Sequence, residues 1–204
     1  MPSPIAHSAT GYALAHFLPH RSRGSQSSSN RSDSGKLYSA FGAIAIYSIV
    51  ISNLPDLDFL PQVISHMRFH RGPTHSLAVG LLLSLVCSAI AKLLLAKTSR
   101  PHQNAQPTDR LPSYKTILVF TLGLYLTHLL LDSVTAGGPG MQLLWPFSTD
   151  YLRAPFSLFF GVHHSRGLWD SSHIVFITAE TIYSVTLIAA LRLLQTRSLH
   201  KNRS

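Results

Sequence analysis

The chain has 204 residues, 46% of them hydrophobic and only 12% charged, with 17 Lys and Arg against 8 Asp and Glu and a formal net charge of +9. Soluble domains carry about 25% charged residues, so this composition excludes an ordinary water-soluble domain and points to lipid as the solvent. The single cysteine, Cys87, lies in an apolar run, which excludes an intramolecular disulfide and reads as a small buried hydrophobe.

In chain order, the first apolar stretch covers residues 4–19 and contains His7 and His16. It is short for a membrane span and reads either as a spanning helix packed among others or as a re-entrant one. It lacks the basic start and small-residue cleavage site of a secretory signal, so membrane insertion is expected through retained helices. Residues 20–36 (HRSRGSQSSSNRSDSGK) are Ser-rich, without apolar periodicity, and read as a disordered loop. A second apolar stretch follows at about 37–54.

That stretch ends in Leu54-Pro55-Asp56-Leu57-Asp58. Two carboxylates so close repel unless a cation lies between them, and their oxygens suit a divalent metal; a solvated turn with capping aspartates is the alternative. His70-Arg71-Gly72-Pro73-Thr74-His75-Ser76 comes next, with Gly and Pro setting a turn and Thr74 placed to cap the helix that follows. Neutral imidazole is the commonest nitrogen ligand of zinc, and the planar fork of Arg71 suits an oxyanion or phosphate. A hydrogen-bonded structural turn explains the pair of histidines equally.

The third apolar stretch, about 76–96, leads into a polar segment at 97–115, and the fourth covers about 116–134. Inside the fourth, His128 and Asp132 are spaced by four and so share a helical face. An ionisable pair within a membrane span marks a functional site by default, against the alternative of a structural hydrogen bond. Gly137, Gly138 and Gly140 follow and allow a tight turn or the close approach of a ligand. The segment 133–172 is rich in Gly, Pro, His and aromatics; Trp145, Phe147 and Trp169 read as interfacial anchors, and His163, His164 and His173 as spare histidines of a wet loop. A last stretch, about 173–194, carries Glu180 about two turns in, either beside the site or in helix packing, and a basic tail begins at about 195.

Weaving these stretches through a bilayer puts every Lys and Arg except Arg68, Arg71, Arg153 and Arg166 on one side. The positive-inside rule makes that side cytoplasmic, so the charge is accounted for by topology and no nucleic acid is expected as a partner. On the opposite face Asp56 and Asp58 end one helix, His70 and His75 precede another, and His128 and Asp132 close a third. His7 joins them if the first stretch runs inward.

The order of the motifs PIAHSATGYALAH, LPDLDF, FHRGPTHS and LTHLLLDSVTAGGPGMQLLWPF resembles the YdjM-type inner-membrane metal-dependent hydrolases over about residues 3–150. That family is placed at a distance beside the zinc-dependent phospholipase C and single-strand nuclease superfamily, which cuts phosphoester bonds. The resemblance implies His7, Asp56, Asp58, His70, His75, His128 and Asp132 as a metal site. The Ser-rich insertion at 22–34 departs from compact members but falls away from that site.

The expectation is one all-α membrane-embedded domain over residues 1–204, a bundle of four or five transmembrane helices with a polar site at its extracytoplasmic mouth. The leading function is metal-dependent hydrolysis of an ester or phosphoester, lipid-linked or otherwise, at the surface of the lipid bilayer. One or two divalent ions, zinc first, would serve it, with Asp132, Arg71 and His70 as catalytic candidates. The alternative is a non-enzymatic membrane protein, either a metal-ion transporter or a structural or interaction protein. A transporter gathers ionisable residues near the bilayer midplane, whereas here they gather at one end.

Overall fold

The computed structural model describes residues 4–17, 31–58, 71–98, 111–160 and 172–201. Among these, the chain is a bundle of five α-helices: α1 Pro4–Phe17, α2 Arg31–Asn53, α3 Leu77–Thr98, α4 Tyr114–Ser133 and α5 Ser172–Lys201. Two short 3-10 turns, Leu54–Asp58 and Pro73–His75, lie between α2 and α3. The expected all-α membrane bundle is what forms. By length and composition, α3, α4 and the Ile174–Thr196 part of α5 each suffice to cross a membrane.

Local chemistry sets the helix ends that matter for the site. The residue before a proline is pushed out of the α region, and α2 stops at Asn53, just ahead of Leu54-Pro55. The start of α3 is capped by Ser76, whose Oγ accepts the Val79 N–H at 3.2 Å. Thr74, the expected cap, spends its hydroxyl on Asp58 instead. At α4 the Ser113 hydroxyl oxygen accepts the Thr116 N–H at 3.1 Å.

Two boundaries differ from the sequence reading. Helix α2 begins at Arg31, inside the segment expected to be a disordered loop; residues 20–30 of that loop lie outside the described residues. Once an apolar helix is nucleated, each residue added upstream gains a hydrogen bond for the two dihedrals it fixes, which carries helices past their apolar stretch. Helix α5 likewise takes the basic segment from about 195 into its last turns, as far as Lys201.

The shortest helix occupies the middle. α1 packs against α2, α5 and α4, and none of residues 6–16 is exposed. At 14 residues and about 1.5 Å per residue it is roughly 21 Å long, short of a hydrocarbon core of about 30 Å. Small residues permit the burial, as in membrane helix pairs generally: Ala6, Ala9, Ala13 and Ala15 are buried, and a side chain at Gly11 would strike the Ser48 backbone and Ser52 Oγ of α2. On its other flank, Thr10 Oγ1 and the Tyr183 hydroxyl of α5 are hydrogen-bonded at 2.9 Å, and α5 buries Phe176, Glu180, Ser184 and Leu191.

Residues 134–160 fold back as a collar at the end of α4. Ala136 N–H donates to Phe159 O at 2.8 Å and Leu158 N–H to Val134 O at 2.7 Å, while Met141 and Leu152 exchange both backbone hydrogen bonds. Gly137, Gly138 and Gly140 have φ of 88°, 74° and 109°, which side chains rarely tolerate. At Gly140 a Cβ would also collide with the Leu152 carbonyl. Backbone bonds tie the collar to its neighbours: Leu77 N–H to Leu143 O at 3.0 Å, Ala154 N–H to Ser133 O at 3.1 Å and Gln142 N–H to Arg71 O at 3.1 Å.

Candidate metal centre

Four elements deliver their polar side chains to one end of the bundle. His7 lies in the first turn of α1 and Asp56 in the Leu54–Asp58 turn. His75 ends the Pro73–His75 turn, and His128 with Asp132 occupy the last turns of α4. One ligand atom from each of Asp56, His75, His128 and Asp132 lies within 4.8 Å of every other. His7, His75, His128 and Asp132 are no more than 1% exposed, and the Asp56 side chain is 10% exposed.

The individual distances resemble the edges of a coordination polyhedron. His75 Nε2 is 3.2 Å from Asp132 Oδ2 and 3.5 Å from Asp56 Oδ1. His128 Nε2 is 3.6 Å from Asp56 Oδ1 and 3.3 Å from His75 Nε2. Zinc bonds of about 2.0–2.2 Å place the corners of a tetrahedron about 3.3–3.6 Å apart. Both oxygens of Asp56, both of Asp132 and both nitrogens of His7 are buried without a hydrogen-bond partner. Burying such groups without hydrogen bonds is costly unless a cation compensates them, so the donor set fits a divalent metal.

The tautomers also fit. The Ser52 carbonyl, 2.8 Å from His128 Nδ1, can only accept, so Nδ1 carries the proton and a neutral ring turns its Nε2 lone pair toward Asp56. On His75, Nδ1 faces Asp58 Oδ2 at 3.2 Å, which leaves Nε2 pointing into the cluster. A ligating histidine held through its other nitrogen is the usual arrangement in metal sites. Asp58, read from the sequence as a ligand beside Asp56, thus stands on the far side of His75. Its Oδ2 also accepts the Thr74 hydroxyl at 2.5 Å and the Arg71 N–H at 3.1 Å.

Burial alone would disfavour a charged His75. The carboxylates of Asp132, Asp56 and Asp58 outweigh it and hold the imidazole well above its usual value of 6.5.

Arg71 is 6% exposed and sits at φ 63°, a left-handed conformation that non-glycine residues pay to adopt. Its N–H on Asp58 and its carbonyl under Gln142 N–H hold it there. The side chain then reaches Asp132, with Nε 3.3 Å from Oδ2. Nη1 donates to Gly137 O at 3.5 Å, and Nη2 has no hydrogen-bond partner.

Of the residues singled out in the sequence, His7, Asp56, His75, His128, Asp132 and Arg71 come together, with Asp58 immediately behind. His70, His163, His164 and Trp169 lie outside the described residues. His173 falls in the first turn of α5, and Glu180 is buried further along that helix. Sequence reasoning missed two contributors, the Ser52 carbonyl and Tyr125, whose hydroxyl donates to the Thr74 carbonyl beneath the turn. Every residue has a carbonyl, so no side-chain signal could have found the first.

Comparison with known proteins gives a consistent placement. The family model described as YdjM inner membrane protein matches residues 1–201. The curated protein named inner membrane protein YbcI, from Escherichia coli (strain K12), is 32% identical over 114 residues, 54% of this chain and 57% of that protein. The alignment therefore spans little more than half of that relative's length. No solved structure matches.

Proposed function

The chain belongs to the YdjM inner membrane protein family, and from that premise we propose that it is a membrane-bound, metal-dependent hydrolase cutting an ester or phosphoester at the lipid surface. The observation that carries the reading is the buried cluster of Asp56, His75, His128 and Asp132, with ligand atoms within 4.8 Å of one another. A divalent metal held there, zinc first, would lower the pKa of a bound water toward about 7 and polarise the bond to be cut.

The chain's own residues divide the remaining work. Asp56 and Asp132 offer oxygens, and His75 and His128 offer Nε2, in orientations set by Asp58 and the Ser52 carbonyl. Arg71 brings a buried Nη2 with donors to spare to the edge of the cluster, where it would bind negatively charged oxygen on the substrate. Asp132, between Arg71 and His75, is the candidate to receive the proton of the attacking water where the centre holds a single ion. His70 remains a catalytic candidate on its sequence position beside Arg71.

Support for a hydrolase over a transporter comes from depth. His75 precedes α3 by two residues, Asp56 follows α2, and Asp132 is the penultimate residue of α4, so the cluster lies at helix ends and not at the midplane. The bias of basic residues supports an extracytoplasmic position for that end.

Protein purified in detergent without chelator is expected to retain at least one equivalent of a transition metal by elemental analysis and to hydrolyse p-nitrophenyl phosphate, bis(p-nitrophenyl) phosphate or a p-nitrophenyl carboxylic ester. His75→Ala and Asp132→Ala should each lose most of the metal, while His16→Ala, at the far end of α1, should keep it. Full retention in both ligand variants would overturn the metal site; metal without hydrolysis of any of these probes would leave a binding protein.

A further inference from the structure

Asp56 and Asp132 each turn their two oxygens to different histidines. Asp56 Oδ1 faces His75 and His128, while its Oδ2 is 3.9 Å from His7 Nε2. Asp132 Oδ2 faces His75 and Arg71, while its Oδ1 is 3.6 Å from His7 Nε2. Both separations to His7 exceed a hydrogen bond of about 2.7–3.2 Å, and neither nitrogen of His7 has a hydrogen-bond partner although the residue is fully buried. The ring is stacked on His128 with centroids 3.9 Å apart and an interplanar angle of 22°, which fixes the direction of its Nε2.

We propose that the centre takes two divalent cations: one among His75, His128, Asp56 and Asp132, and a second on His7 Nε2 with the outer oxygens of Asp56 and Asp132, so that both carboxylates bridge. This rests on the metal-centre reading above and deepens it. Metal pairs in hydrolytic sites lie about 3.5–4 Å apart, a separation that a bridging carboxylate spans with one oxygen on each ion.

Charge points to the substrate class. Asp56, Asp58 and Asp132 bring three negative charges to the cluster and Arg71 one positive charge, an excess of two negatives with the imidazoles neutral. One divalent cation only balances that excess. A second leaves the centre positive by two, matched to a dianionic phosphate monoester whose oxygens would face both ions and the spare Nη2 donors of Arg71.

The test is stoichiometry and spin coupling, read without any activity. The full chain in detergent is stripped, reloaded with Mn²⁺ by equilibrium dialysis, counted by elemental analysis and examined by electron paramagnetic resonance. Two Mn²⁺ per chain and an exchange-coupled spectrum are expected, with His7→Ala falling to one Mn²⁺ and an uncoupled six-line signal. One Mn²⁺ in the unmodified protein overturns the second position and leaves the metal-centre reading intact, whereas none overturns both. Two coupled ions in both proteins remove His7 from the assignment. If His7→Ala does not fold, the count and the spectrum of the unmodified protein decide the number of ions alone.

Discussion

His75 shows how much a single position in this centre is asked to do. One ring nitrogen is held by Asp58, and the other meets Asp132, Asp56 and His128. In metal-free protein the raised affinity of His75 for a proton links folding to pH. The imidazolium–carboxylate attraction is fully present below the unfolded value of 6.5 and is lost as pH rises through the higher folded value. Metal-stripped protein should therefore become less stable to heat as pH rises above the unfolded value of 6.5, and saturating Zn²⁺ should flatten the profile, because the metal replaces the proton. Asp58→Asn, with one carboxylate fewer against the ring, should give a shallower slope without metal. It should also weaken metal binding by about 10–100-fold, read by competition with a chelator of known affinity. An unchanged slope and affinity would mean that Asp58 neither charges nor orients His75.

Among the elements, the contact of α1 with α2 is where packing and chemistry meet. Gly11 lies against Ser48 and Ser52, and Ser52 is the residue whose carbonyl orients His128. Gly11→Val should therefore cost about 1–3 kcal/mol by overpacking and lower metal affinity at the same time. Thermal unfolding in detergent and the chelator competition would read the two effects, and a destabilised variant with unchanged affinity would separate them. Much of this was legible in the sequence. The spacing of His128 and Asp132 placed both on one helix face, and the charge bias brought the His and Asp motifs to one end. What was not legible depended on which atom faces which neighbour. Asp56 and Asp58 are equivalent in sequence, yet a 3-10 turn sends one into the cluster and the other behind His75. Thr74 and Ser76 are both cap-forming residues, and the proximity of Asp58 decided that Ser76 caps α3.

For the whole molecule, the proposed orientation rests on the sorting of basic residues to one end. In a Cys87→Ser background, Thr149→Cys marks the collar and Thr98→Cys the opposite end of α3, both at exposed positions. A membrane-impermeant maleimide should label Thr149→Cys in intact spheroplasts and Thr98→Cys only after permeabilisation. The reverse pattern would put the centre in the cytoplasm and change the pool of substrates it meets. The collar itself presents apolar side chains outward, with Phe147 92% exposed and Phe156, Leu158 and Phe160 more than half exposed. Aromatic residues at the end of a helix bundle suit the headgroup region of a bilayer.

The short central α1 has a consequence for how the protein is made. It precedes the other described helices in the chain, yet it is too short to span unaided and has almost no surface of its own to offer to lipid. Its polar side chains, His7, Ser8 and Thr10, find their surroundings only on helices synthesised later, Ser8 through Asn53 and Thr10 through Tyr183. Tyr183 belongs to α5, the last of the described helices. Its surroundings are therefore complete only once the carboxy-terminal helix is present, and His7 meets both aspartates only after α4 has followed α2. A nascent chain therefore cannot complete its polar cluster until α4 has been made.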